Sequence, residues 1–266
     1  MSTAASNDAN DPEILVEVHD GIGRISFNRP ATRNPLGLET CGQLHAAFNR
    51  LESDPDCRVV ILTGSGAAFC GGADIKNMLT IEDADTEYQL GMIQEAFSLT
   101  KRVRELELPV IAAVNGHAVG GGAALALACD IAIASTDANY YFAFGRIGAS
   151  GADMGCTYML PRHVGVTKAA HLILTGATVD AAMGLELGLF VEVVSPEALL
   201  GKAEDIARQI IQAYPRRAAA NTKSALFRGE TTDLGTCLSY EAIAQTYMFR
   251  TQEHKDLRDK FLKRWE

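Results

Sequence analysis

The sequence contains no apolar run long enough to cross a membrane. A transmembrane helix needs about 20 consecutive apolar residues, and none of the runs in this 266-residue chain approaches that length. Residues 1–11 are small, polar and acidic, so they also lack the apolar stretch of a secretory signal. We therefore predict a protein without a membrane partner and with a disordered tail over residues 1–11.

Clusters of basic residues are also missing. The net charge is −9, from 24 Lys and Arg against 33 Asp and Glu. Nucleic-acid phosphates require a basic surface, so this balance argues against a nucleic-acid partner. An anionic small molecule would need basic residues placed locally.

Cysteine and histidine do not occur in metal-binding or disulfide patterns. The six cysteines show no CxxC spacing, and the six histidines show no HxxxH or HExxH spacing. A chain of this length needs no disulfides to stabilise its core. We predict reduced thiols, a cytoplasmic location and no metal site.

The residues that are present alternate between strand and helix patterns over 12–195. Two apolar segments around the turn at 20–21 predict a β-hairpin. The predicted helices are 38–51, 87–105 and 121–129, and the predicted strands are 59–63, 110–114, 131–134 and 190–194. This alternation indicates an α/β fold.

Residues 196–266 have only helical patterns, which predicts an all-helical subdomain after the core. Such a tail packs either on a neighbouring subunit or on its own core. The first arrangement would make the protein an oligomer.

Two glycine-rich segments carry the chemistry. Residues 68–76 (AFCGGADIK) and 114–122 (VNGHAVGGG) each include or follow the end of a predicted buried strand. Glycine-rich turns allow a ligand to approach the backbone closely, and two N–H groups aimed at one point form an oxyanion hole. The sequence therefore predicts an enzyme that polarises a carbonyl group.

Together with ISFNRP at 25–30, RNP at 33–35 and LPR at 160–162, these segments resemble the crotonase superfamily, the enoyl-CoA hydratase/isomerase proteins. The likeness spans roughly residues 14–194. It implies a spiral of ββα units whose helical tail, residues 196–266, assembles trimers or dimers of trimers. It also implies an acyl-CoA thioester substrate and no separate cofactor, since coenzyme A is part of the substrate.

The resemblance assigns roles to individual residues. The N–H groups of Ala73 and Gly121 correspond to the oxyanion donors of the family. Gly121 suits this role because the N–H groups of the first helical turn have no partner in the helix. The remaining substrate-binding residues implied by position are Arg33, Asp74, Ile75 and Lys76. The alternative is that the glycines serve only tight packing.

The sequence departs from the hydratase pattern at two positions. Hydratases of this family use two glutamates, and the corresponding residues are Ala124 and Phe144. Neither side chain transfers protons, and each general acid or base contributes about 10²- to 10⁴-fold to the rate. We therefore expect no efficient hydration by the usual route, and we place Phe144 among the substrate-binding residues.

Asp153 is the remaining acid near these positions, and it is a candidate base or nucleophile. Dienoyl-CoA isomerases and a coenzyme-A dehalogenase of the superfamily have a catalytic aspartate at this point of the motif. Apolar neighbours would raise the pKa of the carboxyl group and make it a better base. The alternative is that Asp153 caps a helix predicted over 154–160.

Other residues receive structural interpretations. We expect His117 to be a packed core histidine, and Cys70 and Cys156 have no base partner that would make them nucleophiles. Lys223, Lys255 and Lys260 are either phosphate ligands or part of a solvated helix face.

The first functional hypothesis is double-bond isomerisation of an enoyl-CoA, with Asp153 as the base. An enoyl-CoA hydratase that uses Asp153 alone and a β-diketone-type CoA hydrolase remain open. The loss of both glutamates is also compatible with a protein that binds acyl-CoA without turnover.

Overall fold

The computed structural model describes residues 12–75 and 83–263. The predicted tail over residues 1–11 and the predicted binding residue Lys76 lie outside these ranges.

Strands make up three sheets. In chain order they are β1 (Ile14–His19), β2 (Ile22–Phe27), β3 (Pro35–Leu36), β4 (Val59–Gly64), β5 (Ala68–Cys70), β6 (Gly72–Ala73), β7 (Val110–Val114), β8 (His117–Val119), β9 (Ile131–Ser135), β10 (Asn139–Tyr141), β11 (Thr178–Asp180) and β12 (Glu192–Val194). The largest sheet has the order β1-β2-β4-β7-β9-β12, a second has the order β11-β10-β8-β5, and β3 pairs with β6. Only β1–β2 and β10–β11 are antiparallel within the described chain.

Helices alternate with the strands and then fill the C-terminal part. They are α1 (Leu38–Ser53), α2 (Thr86–Glu105), α3 (Gly121–Ala128), α4 (Cys156–Val164), α5 (Val166–Thr175), α6 (Ala181–Glu186), α7 (Leu199–Ala213), α8 (Arg216–Gly229), α9 (Leu234–Met248) and α10 (Gln252–Leu262). The α/β fold class predicted from the alternation is therefore confirmed.

The largest sheet is buried on both faces. Along β4, Val60 and Leu62 belong to the main core, whereas Val59 and Ile61 belong to a second apolar cluster. Side chains alternate between the two faces of a strand. A parallel strand covered on both sides therefore has the continuous apolar run seen in this sequence.

The first helix of the C-terminal part folds back on its own core. Leu199, Ala203 and Ala207 of α7 pack in the second cluster against the sheet. Further along, α9 leaves Leu234 and Ile243 exposed at 73% and 72%. The tail thus has one helix packed on its own sheet and a later helix with large apolar side chains exposed in the single chain. A trimer or a dimer of trimers stays a prediction.

No helix within the described ranges is long and apolar enough to span a membrane.

Candidate active site

The start of α3 lies against β6. Gly72 has φ +83°, and a Cβ atom built on it would be 2.6 Å from the Val119 carbonyl oxygen and 3.8 Å from the Gly121 nitrogen. A larger residue would collide with the backbone there. Glycine at this position therefore allows the two glycine-rich segments to meet.

The backbone N–H groups of the two predicted donors, Ala73 and Gly121, form no hydrogen bond within the strand pair or the helix to which they belong. Across the β3–β6 pair, the N–H of Asp74 donates to the Leu36 carbonyl oxygen at 2.9 Å. Successive N–H groups of a strand point to opposite edges, so the N–H of Ala73 points away from β3. Gly121 is the first residue of α3, where the N–H has no acceptor within the helix and lies at the positive end of its dipole.

Apolar side chains occupy the two positions that the family resemblance assigns to the glutamates of hydratases. Ala124 is completely buried in α3, and Phe144 is 6% exposed. The Phe144 ring has an atom 3.4 Å from where a Cβ on Gly120 would be. Phe144 therefore packs at the N-terminus of α3 and supplies no proton-transfer group.

Asp153 is half-buried near the same N-terminus. The Sδ atom of the next residue, Met154, would be 2.7 Å from a Cβ built on Gly121. Burial raises the pKa of the Asp153 carboxyl group to about 6. Within residues 12–75 and 83–263, no group forms a hydrogen bond with this carboxyl group. A raised pKa of this kind is one requirement of a general base at neutral pH.

The helix-capping alternative for Asp153 is wrong. The helix predicted to begin at residue 154 begins at Cys156, its N-cap residue is Gly155, and no side chain caps it. The backbone carbonyl of Asp153, not its side chain, accepts the N–H of Cys156 at 2.8 Å. The carboxyl group of Asp153 therefore does not cap this helix.

A cleft of about 660 Å³ extends from Ala73 past Asp74, Ile75 and Arg33. The side chain of Arg33 is exposed there, and Ile75 is 54% exposed. Arg29, which sequence reasoning missed, also lines the cleft and forms an ion pair with Asp74 at 3.2 Å. Its place in the ISFNRP segment was the available signal. The cleft thus brings together four of the predicted binding residues, Arg33, Ala73, Asp74 and Ile75. Gly121 and Phe144, which were also predicted to bind the substrate, are not among the residues that line it.

The prediction for His117 is wrong. This side chain is exposed, lines the same cleft and lies 3.0 Å from the Asn139 amide oxygen. The neighbouring Ala118 is buried instead. The reason is the alternation of side chains along β8, which turns His117 away from the core.

The two cysteines near the site are not activated. Cys70 and Cys156 are both fully buried, and burial raises the pKa of each thiol to about 12. A thiolate is required for nucleophilic attack. Both residues are therefore packing groups.

Lys223 is neither a solvated residue nor an available phosphate ligand. It is 5% exposed, and its ammonium group contacts the carboxylate of Asp130 at 2.9 Å. It also donates to the carbonyl oxygens of Val103 and Leu108, at 2.8 and 3.0 Å. Both other tail lysines of the prediction, Lys255 and Lys260, are exposed.

No group of three or more His, Cys, Asp or Glu side chains in the described part of the chain could hold a metal ion.

Sequence comparison identifies the family. The family model described as Enoyl-CoA hydratase/isomerase matches residues 17–266. The chain belongs to the enoyl-CoA hydratase/isomerase family. Membership of this family confirms the resemblance to the crotonase superfamily and makes the protein an enzyme that acts on acyl-CoA thioesters.

Relatives within the family have several activities. The chain is 34% identical over 255 residues to the short-chain-enoyl-CoA hydratase of Clostridium acetobutylicum, covering 94% of this chain and 95% of the relative. It is 35% identical over 245 residues to the 1,2-epoxyphenylacetyl-CoA isomerase of Escherichia coli, covering 91% and 92%. Overall identity to these family members therefore does not separate hydration from isomerisation.

The fold is also that of the family. The crystal structure of the enoyl-CoA hydratase from Bacillus anthracis superimposes with a TM-score of 0.88 at 33% identity, covering 95% of this chain and 96% of that one. The crotonase-like architecture expected from the sequence is thereby confirmed.

Proposed function

We propose that this enzyme isomerises a double bond in an enoyl-CoA thioester. The N–H groups of Ala73 and Gly121 hold the thioester oxygen, and the carboxylate of Asp153 removes a proton from the acyl chain. The electrons move onto the thioester oxygen to form an enolate. The proton on the partly exposed carboxyl group of Asp153 exchanges with solvent. Asp153 then delivers a proton to another carbon, so the double bond shifts and the composition of the substrate is unchanged.

The observation that supports the proposal is the environment of the Asp153 carboxyl group. Its carboxyl group has a pKa raised to about 6 by burial, and the adjacent Met154 contacts Gly121. A base works best when its pKa lies near the working pH. The glutamate positions, Ala124 and Phe144, offer no second acid or base, so a single group that takes and returns one proton is favoured.

Hydration is the second candidate because relatives of similar identity carry hydratase names. Addition of water requires one group to deprotonate the water and a proton to be delivered to carbon. With Asp153 alone, both tasks would fall to the same carboxyl group. Isomerisation requires only one acid–base group, and Asp153 can supply it.

Solvent deuterium separates the candidates. We expect the purified protein, incubated with 2-enoyl-, 3-enoyl- and 3,5-dienoyl-CoA esters in deuterated water, to give an isomer labelled at the α or γ carbon. Mass spectrometry locates the label. A product that has gained a water molecule would replace isomerisation with hydration, and release of free coenzyme A would indicate a hydrolase. Binding of every ester without exchange or product would favour a non-catalytic acyl-CoA-binding protein.

The pH dependence of activity reports the same group. Asp153 must be ionised to accept a proton, and burial raises its pKa to about 6. We therefore expect kcat/KM to fall about tenfold per pH unit below this pKa, which is the behaviour of one essential base in the free enzyme. Steady-state rates between pH 4.5 and 8 test this, with pre-incubation controls for acid inactivation. A kcat/KM that stays constant down to about pH 5, as expected of an aspartate with the ordinary pKa of about 3.9, would contradict the assignment.

A further inference from the structure

Asp153 is the first residue of a tight turn with an unusual backbone. Its carbonyl oxygen accepts the N–H of Cys156 at 2.8 Å. Both central residues have positive φ, +40° for Met154 and +80° for Gly155, which is the signature of a type I′ turn. Glycine tolerates this conformation, but methionine rarely adopts it. The turn therefore persists only where neighbouring contacts impose it.

Thr100 of α2 supplies such a contact. Its Oγ1 atom donates to the Met154 carbonyl oxygen at 3.0 Å, and the residue is 7% exposed. Its Cγ2 atom is 3.7 Å from where a Cβ on Gly155 would be. Thr100 thus approaches both central residues of the turn, and its hydroxyl group satisfies a carbonyl oxygen in a buried environment.

The Asp153 carboxyl group has no hydrogen bond of its own among the described residues. Its position is consequently set by the backbone of the turn. That backbone is held on one side by the Thr100 hydroxyl group, while the Met154 side chain packs at Gly121 on the other.

We propose that Thr100 is a positioning residue, which acts through the Met154 carbonyl group to hold Asp153 in reach of the acyl carbon. This inference rests on the proposed role of Asp153 as the base. Thr100 itself transfers no proton. Its hydroxyl group maintains the distance between a base and a carbon that must lie within about 3 to 3.5 Å of each other to react.

Substitution of Thr100 tests the inference. We expect Thr100→Val to lower kcat about 10- to 100-fold with KM nearly unchanged, because misplacement of a reacting group by about 1 Å costs on this order. Thr100→Ser keeps the hydroxyl group and should retain most of the turnover. If Thr100→Val does not fold, Thr100→Ala removes the hydroxyl group without adding bulk and is measured in the same way.

A matched control separates positioning from general destabilisation. Thr63 is also buried, at 4% exposed, and its hydroxyl group donates to the Ala113 carbonyl oxygen at 2.9 Å. Thr63 lies in β4, and the proposed reaction assigns it no role. Thr63→Val should lower stability but leave kcat unchanged. Equal losses of kcat in both variants would overturn the positioning role.

A double-mutant cycle tests whether Thr100 acts through Asp153. In an Asp153→Asn background, Thr100→Val should have no further effect on residual exchange of solvent deuterium, because the base is already absent. Losses that multiply, or a rise in KM as the main effect of Thr100→Val, would mean that Thr100 contacts the substrate directly and would overturn the inference. An Asp153→Asn enzyme with full activity would overturn the proposed function as well.

Discussion

Replacing Asp153 with asparagine is expected to lower the turnover of the isomerised substrate by about 10²- to 10⁴-fold, the usual contribution of a general base. Asparagine has nearly the same shape as aspartate but accepts no proton at neutral pH. The substitution does not alter the proposed oxyanion donors at Ala73 and Gly121, so the affinity for acyl-CoA should change little. Measurement of kcat tests the expected loss of turnover, and the dissociation constant of a substrate analogue tests the expected retention of affinity.

Asp137→Asn is the matched control. Asp137 is an exposed aspartate after β9 and has no part in the proposed chemistry. It undergoes the same change of charge, and its variant should keep the activity of the unmodified enzyme. An Asp153→Asn enzyme whose kcat stays within a few-fold of that control, in a protein that exchanges deuterium into its substrate, would show that another group is the base.

Replacing Lys223 with methionine is expected to lower the free energy of unfolding by about 3 to 5 kcal/mol, the usual cost of leaving a buried charge without its partner. In both members of the pair, burial outweighs their mutual attraction: the pKa of Lys223 is lowered and that of Asp130 is raised. Loss of Lys223 would leave the Asp130 carboxylate and the Val103 and Leu108 carbonyl groups without the ammonium donor. Urea unfolding at a fixed protein concentration measures the effect.

Two further variants serve as controls for the loss of stability in Lys223→Met. Lys202 forms an ion pair with Glu192 at 2.8 Å, but the two side chains are 32% and 41% exposed. Lys202→Ala should therefore cost only about 0 to 1 kcal/mol. Adding Asp130→Asn to Lys223→Met removes the unpaired charge and keeps an acceptor for the N–H of Val110, so it should recover part of the loss. A Lys223→Met variant no less stable than Lys202→Ala would contradict the structural role of the buried pair.

Longer elements could be predicted from their patterns. The strand at residues 110–114 and the helix that begins at Gly121 have the predicted bounds or differ by one residue, because each has an apolar run or a periodicity of sufficient length. The strands β3 and β6 contain two residues each, which is too short for an alternation of apolar and polar side chains to be recognised. They were missed, although β6 supplies Ala73 to the site.

The site was predicted in part. Sequence reasoning selected Ala73, Gly121 and Asp153, and the structure places the segments that contain them around the N-terminus of α3. It did not select Thr100, since a threonine within a helical pattern carries no signal for a contact with a turn 54 positions away. The catalytic roles of the selected residues stay predictions until the variants are measured.

Local sequence determined the alternation of strands and helices, the two glycine-rich segments and the absence of proton-transfer groups at residues 124 and 144. These features depend on side-chain volume, backbone freedom and periodicity within short stretches. Only the tertiary structure decided that Asp153 is half-buried, that His117 faces a cleft and that Lys223 is buried against Asp130. Burial and pKa depend on groups far apart in the chain, because desolvation and charge act through space.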